Sequence, residues 1–166
     1  MTGELWILGL VMAGVAVLAI KSSAAVKSEN PELLGIVQKY ADKYGIDAAL
    51  IKAVIQNESS WDPQNRNPAD PSYGLMGITP QLAQDFGIVK DWQNPTAAEI
   101  ARIYDPDTNI MIGAGHLSDL LGSYDFDTAI QMYNVGISGF IVYGYRNAGY
   151  LAAVTDYYNQ YLAEGS

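Results

Sequence analysis

Helix start and stop signals recur along residues 30–162, and no alternating strand pattern of useful length interrupts them. Asn30 precedes Pro31, a pair typical of a helix N-cap and first helical position, and the apolar stripe that follows ends at Gly45. Further helices are predicted from residue 47, over 79–87 and 94–105, from 107 or 108 to 121, and over about 125–134, 137–143 and 147–162. The pattern therefore predicts a mainly α protein.

One stretch, residues 59–78, breaks the helical pattern and is rich in Pro, Asn, Asp and Gly. A loop of this length inside a compact domain is usually functional. We therefore expect a binding or catalytic site around this loop.

The charge of the chain limits what it can bind. The 166 residues carry 18 acidic and 9 basic side chains, and residues 29–166 hold 17 of the acids and 7 of the bases. A domain this acidic repels phosphate backbones, which argues against nucleic acid as a partner. The chain has no cysteine, so disulfides and thiol nucleophiles are excluded. No cofactor or metal is predicted, because the single histidine, His116, cannot build a metal site alone and is interpreted as structural.

An uncharged apolar run covers residues 5–20. It is short for a membrane span of about 20 residues, but snorkelling of Lys21 extends the apolar segment over residues 5–26. We predict a single N-terminal transmembrane helix, with residues 1–28 as anchor and linker and residues 29–166 as one domain. A signal peptide cleaved near Ser23-Ala24-Ala25 and a buried core helix are the alternatives.

Glu58 lies where the apolar face of a helix should continue. In the helix after Asp47, apolar residues recur at spacings of three and four that bring Glu58 onto the same face. Burial disfavours the ionised carboxyl and raises its pKa, as a general acid near neutral pH requires. Spacing alone leaves the alternative that the helix frays at Ser59-Ser60 and the carboxyl points into water.

Three segments carry a family resemblance through their order and spacing. They read ESSWDP from Glu58, SYGLMGITP from Ser72 and YNVG from Tyr133. This arrangement resembles the lytic transglycosylases with a goose-type lysozyme-like fold, which implies a lysozyme-like helical domain. The segment DPDTNI from Asp105 and the pair Tyr150 and Val154 extend the resemblance over residues 31–160. Gly77 stands where the family pattern has Gln.

The resemblance implies that Glu58 is the single catalytic acid and base. It would protonate the β-1,4 glycosidic oxygen between N-acetylmuramic acid and N-acetylglucosamine, then take a proton from the muramoyl 6-hydroxyl to leave a 1,6-anhydro sugar. The two-carboxylate scheme usual for glycosidases would instead need Asp62 or Asp70, and both residues also suit turns before proline. A hydrolytic goose-type lysozyme is the near rival. A non-catalytic structural or wall-binding membrane protein on the same fold is the alternative from another class.

The resemblance also implies a set of substrate-binding residues. Tyr133 corresponds to a phenol that hydrogen-bonds the catalytic carboxyl, and Asn134 to an amide that holds the N-acetyl group. The alternative for Asn134 is a helix C-cap beside Gly136. Leu75 and Met76 would line the cleft, although such an apolar pair is more often core. The full set is Ser59, Ser72, Tyr73, Gly74, Leu75, Met76, Tyr133, Asn134 and Tyr150.

The implied partners are peptidoglycan glycan strands and, through residues 5–26, a lipid membrane. Such a substrate lies outside the bacterial cytoplasmic membrane, so the domain would face peptidoglycan, either in a cell envelope or on a phage virion membrane. Lys21 and Lys27 follow the apolar run and fit poorly with simple export, which slightly favours the virion. Six tyrosines cluster after residue 140; most should be core or rim residues, and about two should meet glycan.

Overall fold

A computed structural model describes residues 30–68 and 71–165 of the chain. The elements in chain order are α1 (Pro31–Tyr44), α2 (Ala48–Ser59), β1 (Arg66–Asn67), β2 (Ser72–Tyr73), α3 (Pro80–Asp85), α4 (Ala97–Tyr104), α5 (Pro106–Ser123), α6 (Phe126–Val135), α7 (Ile137–Ile141) and α8 (Ala148–Glu164). The predicted mainly α class is confirmed. The predicted transmembrane segment, residues 5–26, lies outside the described residues. Within 30–68 and 71–165, no helix has the length and apolar character needed to cross a membrane.

Side-chain caps place the starts of the first two helices where the sequence predicts them. The Asn30 side chain accepts a hydrogen bond of 3.0 Å from the Glu32 amide. The Asp47 side chain does the same for the Ala49 amide at 2.8 Å. Gly45 ends α1 in a left-handed conformation with φ of 67°, which glycine adopts without strain. The predicted bounds of α1 are therefore confirmed.

Helices α4 and α5 begin at residues other than those predicted, and α7 ends at Ile141 rather than at residue 143. Helix α4 begins after Thr96 rather than at Asn94, because Thr96 and Glu99 form a reciprocal capping box. The Glu99 amide donates to Thr96 Oγ1 at 3.3 Å, and the Thr96 amide donates to Glu99 Oε2 at 2.8 Å. Helix α5 begins at Pro106, because the Asp105 side chain accepts from the Thr108 amide at 3.0 Å. It also runs through Gly122, which lacks the positive φ of a terminating glycine.

A short antiparallel pair lies inside the stretch predicted to be irregular. Strands β1 and β2 pair Arg66 with Tyr73 and Asn67 with Ser72. Tyr73 also forms two backbone hydrogen bonds with Ile78, each 3.0 Å long. The loop after α2 therefore folds into a defined shape.

The core is built around α2. This helix packs most extensively along α8 and also contacts α1, which in turn packs against α5. The fully buried side chains that join these helices include Ile51, Val54, Ile55, Ile110, Leu117 and Val154. Since Glu58 follows this buried face by one turn, the helix carries its carboxyl to the edge of the core.

Candidate active site

Glu58 lies in the last turn of α2, with its carboxyl on the interior side of the helix. The Tyr150 hydroxyl donates a hydrogen bond of 2.6 Å to Glu58 Oε1. Burial raises the pKa of Glu58 above its ordinary value, and the Tyr150 hydrogen bond lowers it by less. Fraying of the helix into water is therefore not what the structure shows. The carboxyl is placed and tuned as a general acid requires.

The phenol that bonds the carboxyl is Tyr150, and not Tyr133 as the resemblance implies. The Tyr133 hydroxyl donates instead to the carbonyl oxygen of Met76 at 2.9 Å. Burial raises the pKa of both phenols, and the nearby charge of Glu58 raises it further. Tyr150 reaches Glu58 because α8 packs along α2, so the contact depends on tertiary packing rather than on a local motif.

Gly77 lies directly against the second carboxyl oxygen of Glu58. A Cβ placed on Gly77 would stand 2.5 Å from Glu58 Oε2, closer than real Cβ contacts. The residue also has a φ of 64°, a conformation that side chains rarely adopt. Glycine at position 77 therefore allows the loop backbone to approach the carboxyl.

Asn109 holds the loop beside Glu58 and was missed by the sequence analysis. Its side chain is fully buried. Its Nδ2 donates to the carbonyl oxygens of Tyr73 and Ile103, both at 2.8 Å, and its Oδ1 accepts from the Met76 amide at 2.8 Å. Asn109 lies within the segment DPDTNI that extends the family resemblance and is a polar residue on an apolar helix face, but neither signal identifies these partners.

Ser59 joins the end of α2 to the same loop. Its hydroxyl lies within hydrogen-bond distance of the carbonyl oxygens of Leu75, at 2.9 Å, and Ile55, at 3.1 Å. The Asn65 side chain in turn donates to the Glu58 carbonyl oxygen at 2.9 Å. Ser59, predicted to bind substrate, therefore contacts the protein's own backbone and fixes the loop to the helix that carries Glu58.

Four residues predicted to bind substrate lie in the core instead. Leu75 and Met76 are fully buried, and Tyr73 is 9% exposed. Gly74 is buried as well, since a Cβ there would collide with the Asn109 side chain. Met76 occupies space that Gly113 leaves open, because a Cβ on Gly113 would stand 2.5 Å from its sulfur. These residues form the wall behind Glu58 and do not line the cleft.

A cleft of about 540 Å³ opens beside Gly77 and Tyr133. Asn134 lies in this cleft, as the resemblance implies, and Ser72, half-buried in β2, does not. The Asn134 side-chain oxygen accepts from Asn147 Nδ2 at 2.8 Å, so its side chain does not cap a helix end. The remaining lining residues come from α3, α5, α6 and α7 and the loops beside them: Thr79, Gln81, Leu82, Asp85, His116, Val135, Gly136, Ile137, Ser138 and Gly139.

His116, interpreted from the sequence as structural, forms part of the cleft wall. Its ring centroid lies 5.6 Å from that of Tyr133. Burial lowers the pKa of His116, and the charges of Asp119 and Asp85 oppose that effect. A lone histidine on a helix gives no local signal for such a position.

Of the two candidate second carboxylates, Asp62 and Asp70, the structure describes only Asp62. Asp62 is exposed, and its side chain accepts from the Gln64 amide at 2.9 Å, which makes it a turn residue. Asp70 lies outside the described residues. Within 30–68 and 71–165, no three His, Asp or Glu side chains gather into a set that could hold a metal ion.

Curated relatives match part of the chain. Membrane-bound lytic murein transglycosylase C of Sodalis glossinidius is 36% identical over 93 residues, and that of Pectobacterium atrosepticum is 34% identical over the same length. Each alignment covers 55% of this chain and 25% of the relative. The matched part therefore spans about a quarter of the length of these relatives.

Solved structures show the same fold. The 70 kDa soluble lytic transglycosylase from Escherichia coli superposes with a TM-score of 0.59 at 23% identity, covering 76% of this chain and 23% of that one. An inactive mutant of lytic transglycosylase Slt from Pseudomonas aeruginosa gives the same TM-score at 19% identity, covering 78% of this chain and 24% of that one. The predicted lysozyme-like helical fold is confirmed. The family described as the transglycosylase SLT domain matches residues 35–147, more than half of the sequence, and the chain belongs to this family.

Proposed function

We propose that the domain is a lytic transglycosylase that cleaves the glycan strands of peptidoglycan, with Glu58 as its single acid and base. The observation that carries this proposal is the Glu58 carboxyl, whose pKa is raised by burial. It is bonded by Tyr150 and lies against Gly77, a residue that lines the cleft. The names of the curated relatives, membrane-bound lytic murein transglycosylases, support the substrate class.

The reaction uses one carboxyl twice. The protonated Glu58 donates its proton to the glycosidic oxygen, so that the bond from this oxygen to C1 of the muramoyl sugar breaks and the N-acetylglucosamine leaves. The resulting carboxylate accepts the proton of the muramoyl 6-hydroxyl while O6 bonds to C1. Glu58 ends protonated, as it began, and no water is consumed.

The surroundings of Glu58 suit both steps. Burial favours the protonated form that the first step needs, and the Tyr150 hydrogen bond stabilises the carboxylate that the second step needs. Asn134 supplies an amide to the acetamido group of a bound sugar. Ser59, Tyr133 and Asn109 act through the loop backbone and are positioning residues in this scheme.

The test uses purified peptidoglycan sacculi and the variant Glu58→Gln. The parent protein should release soluble fragments with 1,6-anhydro ends, and the variant should release them about 10²- to 10⁴-fold more slowly, the usual contribution of a general acid and base. Its helical circular dichroism should match that of the parent. Undiminished release by the variant would exclude Glu58 as the acid.

The same experiment separates the rival functions. Mass spectrometry distinguishes an anhydro product from a reducing end, because the anhydro sugar lacks one water. Reducing ends would identify a hydrolytic goose-type lysozyme. Binding to sacculi without any release would identify a non-catalytic wall-binding protein on this fold.

We further propose that residues 1–28 anchor the domain, residues 29–166, to a membrane, with residues 5–26 in the lipid. Support comes from the uncharged run over residues 5–20 and from the printed names of the curated relatives. The domain then faces peptidoglycan, in a bacterial envelope or on a phage virion membrane, and Lys21 and Lys27 slightly favour the virion. Protease treatment of intact cells and of purified particles tests this, because an exposed domain is cut without lysis.

A further inference from the structure

The segment after α6 presents two aromatic rings to solvent. Tyr143 is 68% exposed and Tyr145 is 59% exposed. Their ring centroids lie 5.7 Å apart with the planes at 25°, so the two rings stack on each other. Large apolar groups exposed side by side mark a binding surface rather than a solvated loop.

This aromatic pair continues the wall of the cleft. Gly139 lines the cleft, and its carbonyl oxygen accepts a hydrogen bond of 2.9 Å from the Tyr145 amide. A Cβ on Gly139 would stand 3.3 Å from Cδ2 of Tyr145, so the ring lies directly on the glycine. Tyr145 therefore borders a residue of the cleft, and Tyr143 stacks on Tyr145.

Hydrogen bonds fix the backbone that carries the two rings. Arg146 Nη1 donates to the carbonyl oxygens of Phe140 and Tyr145 at 2.9 and 2.8 Å, and its guanidinium carbon lies 3.4 Å from the centroid of the Phe140 ring. The Tyr143 amide donates to the Ser138 carbonyl oxygen at 3.3 Å. A surface fixed in advance loses less conformational entropy when it binds a ligand.

The same segment differs in charge from the rest of the domain. Residues 128–155 contain no acidic side chain and one basic side chain, Arg146, in a domain that otherwise carries 17 acids. A polymer that bears carboxylates therefore meets no acidic side chain of this segment.

We propose that Tyr143 and Tyr145 form a stacking platform for sugars of the glycan strand beyond those held in the cleft. The substrate class rests on the proposed function. Flat, exposed rings suit the C–H faces of pyranose sugars, and a row of two rings suits a repeating polymer. The platform lengthens the bound part of the strand and makes the domain prefer long strands to short ones.

The test measures binding in the Glu58→Gln background, which prevents turnover. Glycan strands of four and of ten sugars are titrated against this protein and against the same protein with Tyr143→Ser and Tyr145→Ser. The first protein should bind the longer strand about 5- to 100-fold more tightly, the range expected from two ring contacts. The substituted protein should lose that gain. A length dependence that survives the double substitution overturns the proposal.

Val142→Ser is the matched control, because Val142 lies on the same segment and is 70% exposed but has no ring. It should leave the length dependence unchanged. If it abolishes the gain as the tyrosine substitutions do, the segment is a general apolar surface and the platform is excluded. Binding to phosphatidylglycerol vesicles that requires both tyrosines and is not displaced by glycan would likewise assign the segment to lipid.

Two further measurements keep the outcomes separate. Circular dichroism of each variant shows whether it has folded. If the double variant has not folded, Tyr143→Ser alone replaces it, and this variant should lose part of the gain in affinity for the longer strand. Cleavage of sacculi by the protein with Glu58 intact is measured independently. A lack of anhydro products there contradicts the proposed function, whereas the length dependence of binding decides on the platform.

Discussion

The Tyr150 hydroxyl donates a hydrogen bond of 2.6 Å to Glu58 Oε1, although the two residues are 92 positions apart in the chain. Burial favours the protonated carboxyl, and this bond favours the carboxylate. Burial is the larger of the two effects. The carboxyl is thereby able to give a proton and then take one, as the proposed reaction requires in turn.

Replacing Tyr150 with Phe should raise the pKa of Glu58 further, because the donor that stabilises the carboxylate is lost. Since the first step needs a protonated carboxyl, the high-pH limb of the rate profile should move to higher pH. The maximal rate should fall about 10-fold, the value of one lost hydrogen bond of about 1.4 kcal/mol. The measurement is the rate of release from sacculi as a function of pH.

Tyr133→Phe is the control for that experiment, because this phenol bonds the Met76 carbonyl oxygen and not the carboxyl. It should lower the free energy of unfolding by about 1 kcal/mol and leave the high-pH limb in place. Equal shifts of the limb in both variants would show that the Tyr150 bond does not set the pKa of Glu58.

The stability of the protein should depend on pH through Glu58. Its pKa in the folded state is raised above the ordinary value of 4.5. Its contribution to stability is therefore complete below that value and is lost as the pH rises through the raised pKa. Glu58→Gln removes this dependence, so the variant should gain melting temperature relative to the parent as the pH rises above 4.5. A difference that stays constant over this range would contradict the raised pKa.

Gly77→Ala should impair activity through the carboxyl, since its Cβ would stand 2.5 Å from Glu58 Oε2. Gly87→Ala is the matched control, with a φ of 71° and nothing within 4 Å of the added Cβ. Both substitutions should cost about 1–2 kcal/mol of stability, because both place alanine in a left-handed conformation. Only Gly77→Ala should also slow cleavage, by about 10-fold or more. Equal rates in the two variants would show that the contact with Glu58 has no effect on the reaction.

Asn109→Ala should destabilise the protein by about 3 kcal/mol or more, because three hydrogen bonds to buried backbone groups are lost at once. The control is Asn94→Ala, an exposed residue whose side chain bonds Asp91 at 3.0 Å. It should change stability by less than about 0.5 kcal/mol. Urea unfolding measures both, and similar midpoints would mean that Asn109 does not hold the loop.

Local signals predicted the helix starts best where a single side chain caps its own helix. Asn30 and Asp47 each have one clear cap position, and the structure confirms both. Asn94 and Thr96 are both plausible caps two residues apart, and the choice falls on Thr96 only because Glu99 completes the reciprocal pair. The start of such a helix therefore depends on a contact between the cap residue and the residue three positions further along the chain.

Helix periodicity predicts which side chains of a helix are buried, and only that part of the site could be predicted from the sequence. Glu58 follows its apolar face by one turn, so its burial could be expected from spacing. The bond from Tyr150 could not, because it requires α8 to pack along α2. Asn109 could not either, because its partners are three backbone groups in two separate segments: Tyr73 and Met76 in the loop, and Ile103 in α4.

The side chains that hold the loop over residues 72–78 all bond its backbone. Asn109 binds the main chain of Tyr73 and Met76, Ser59 binds that of Leu75, and Tyr133 binds that of Met76. The position of this loop beside Glu58 therefore does not depend on a side chain such as that of Ser72. Substitutions on the outer surface of this loop can accumulate without disturbing Glu58. A lineage of such domains can thus diverge in what it recognises while its chemistry stays the same.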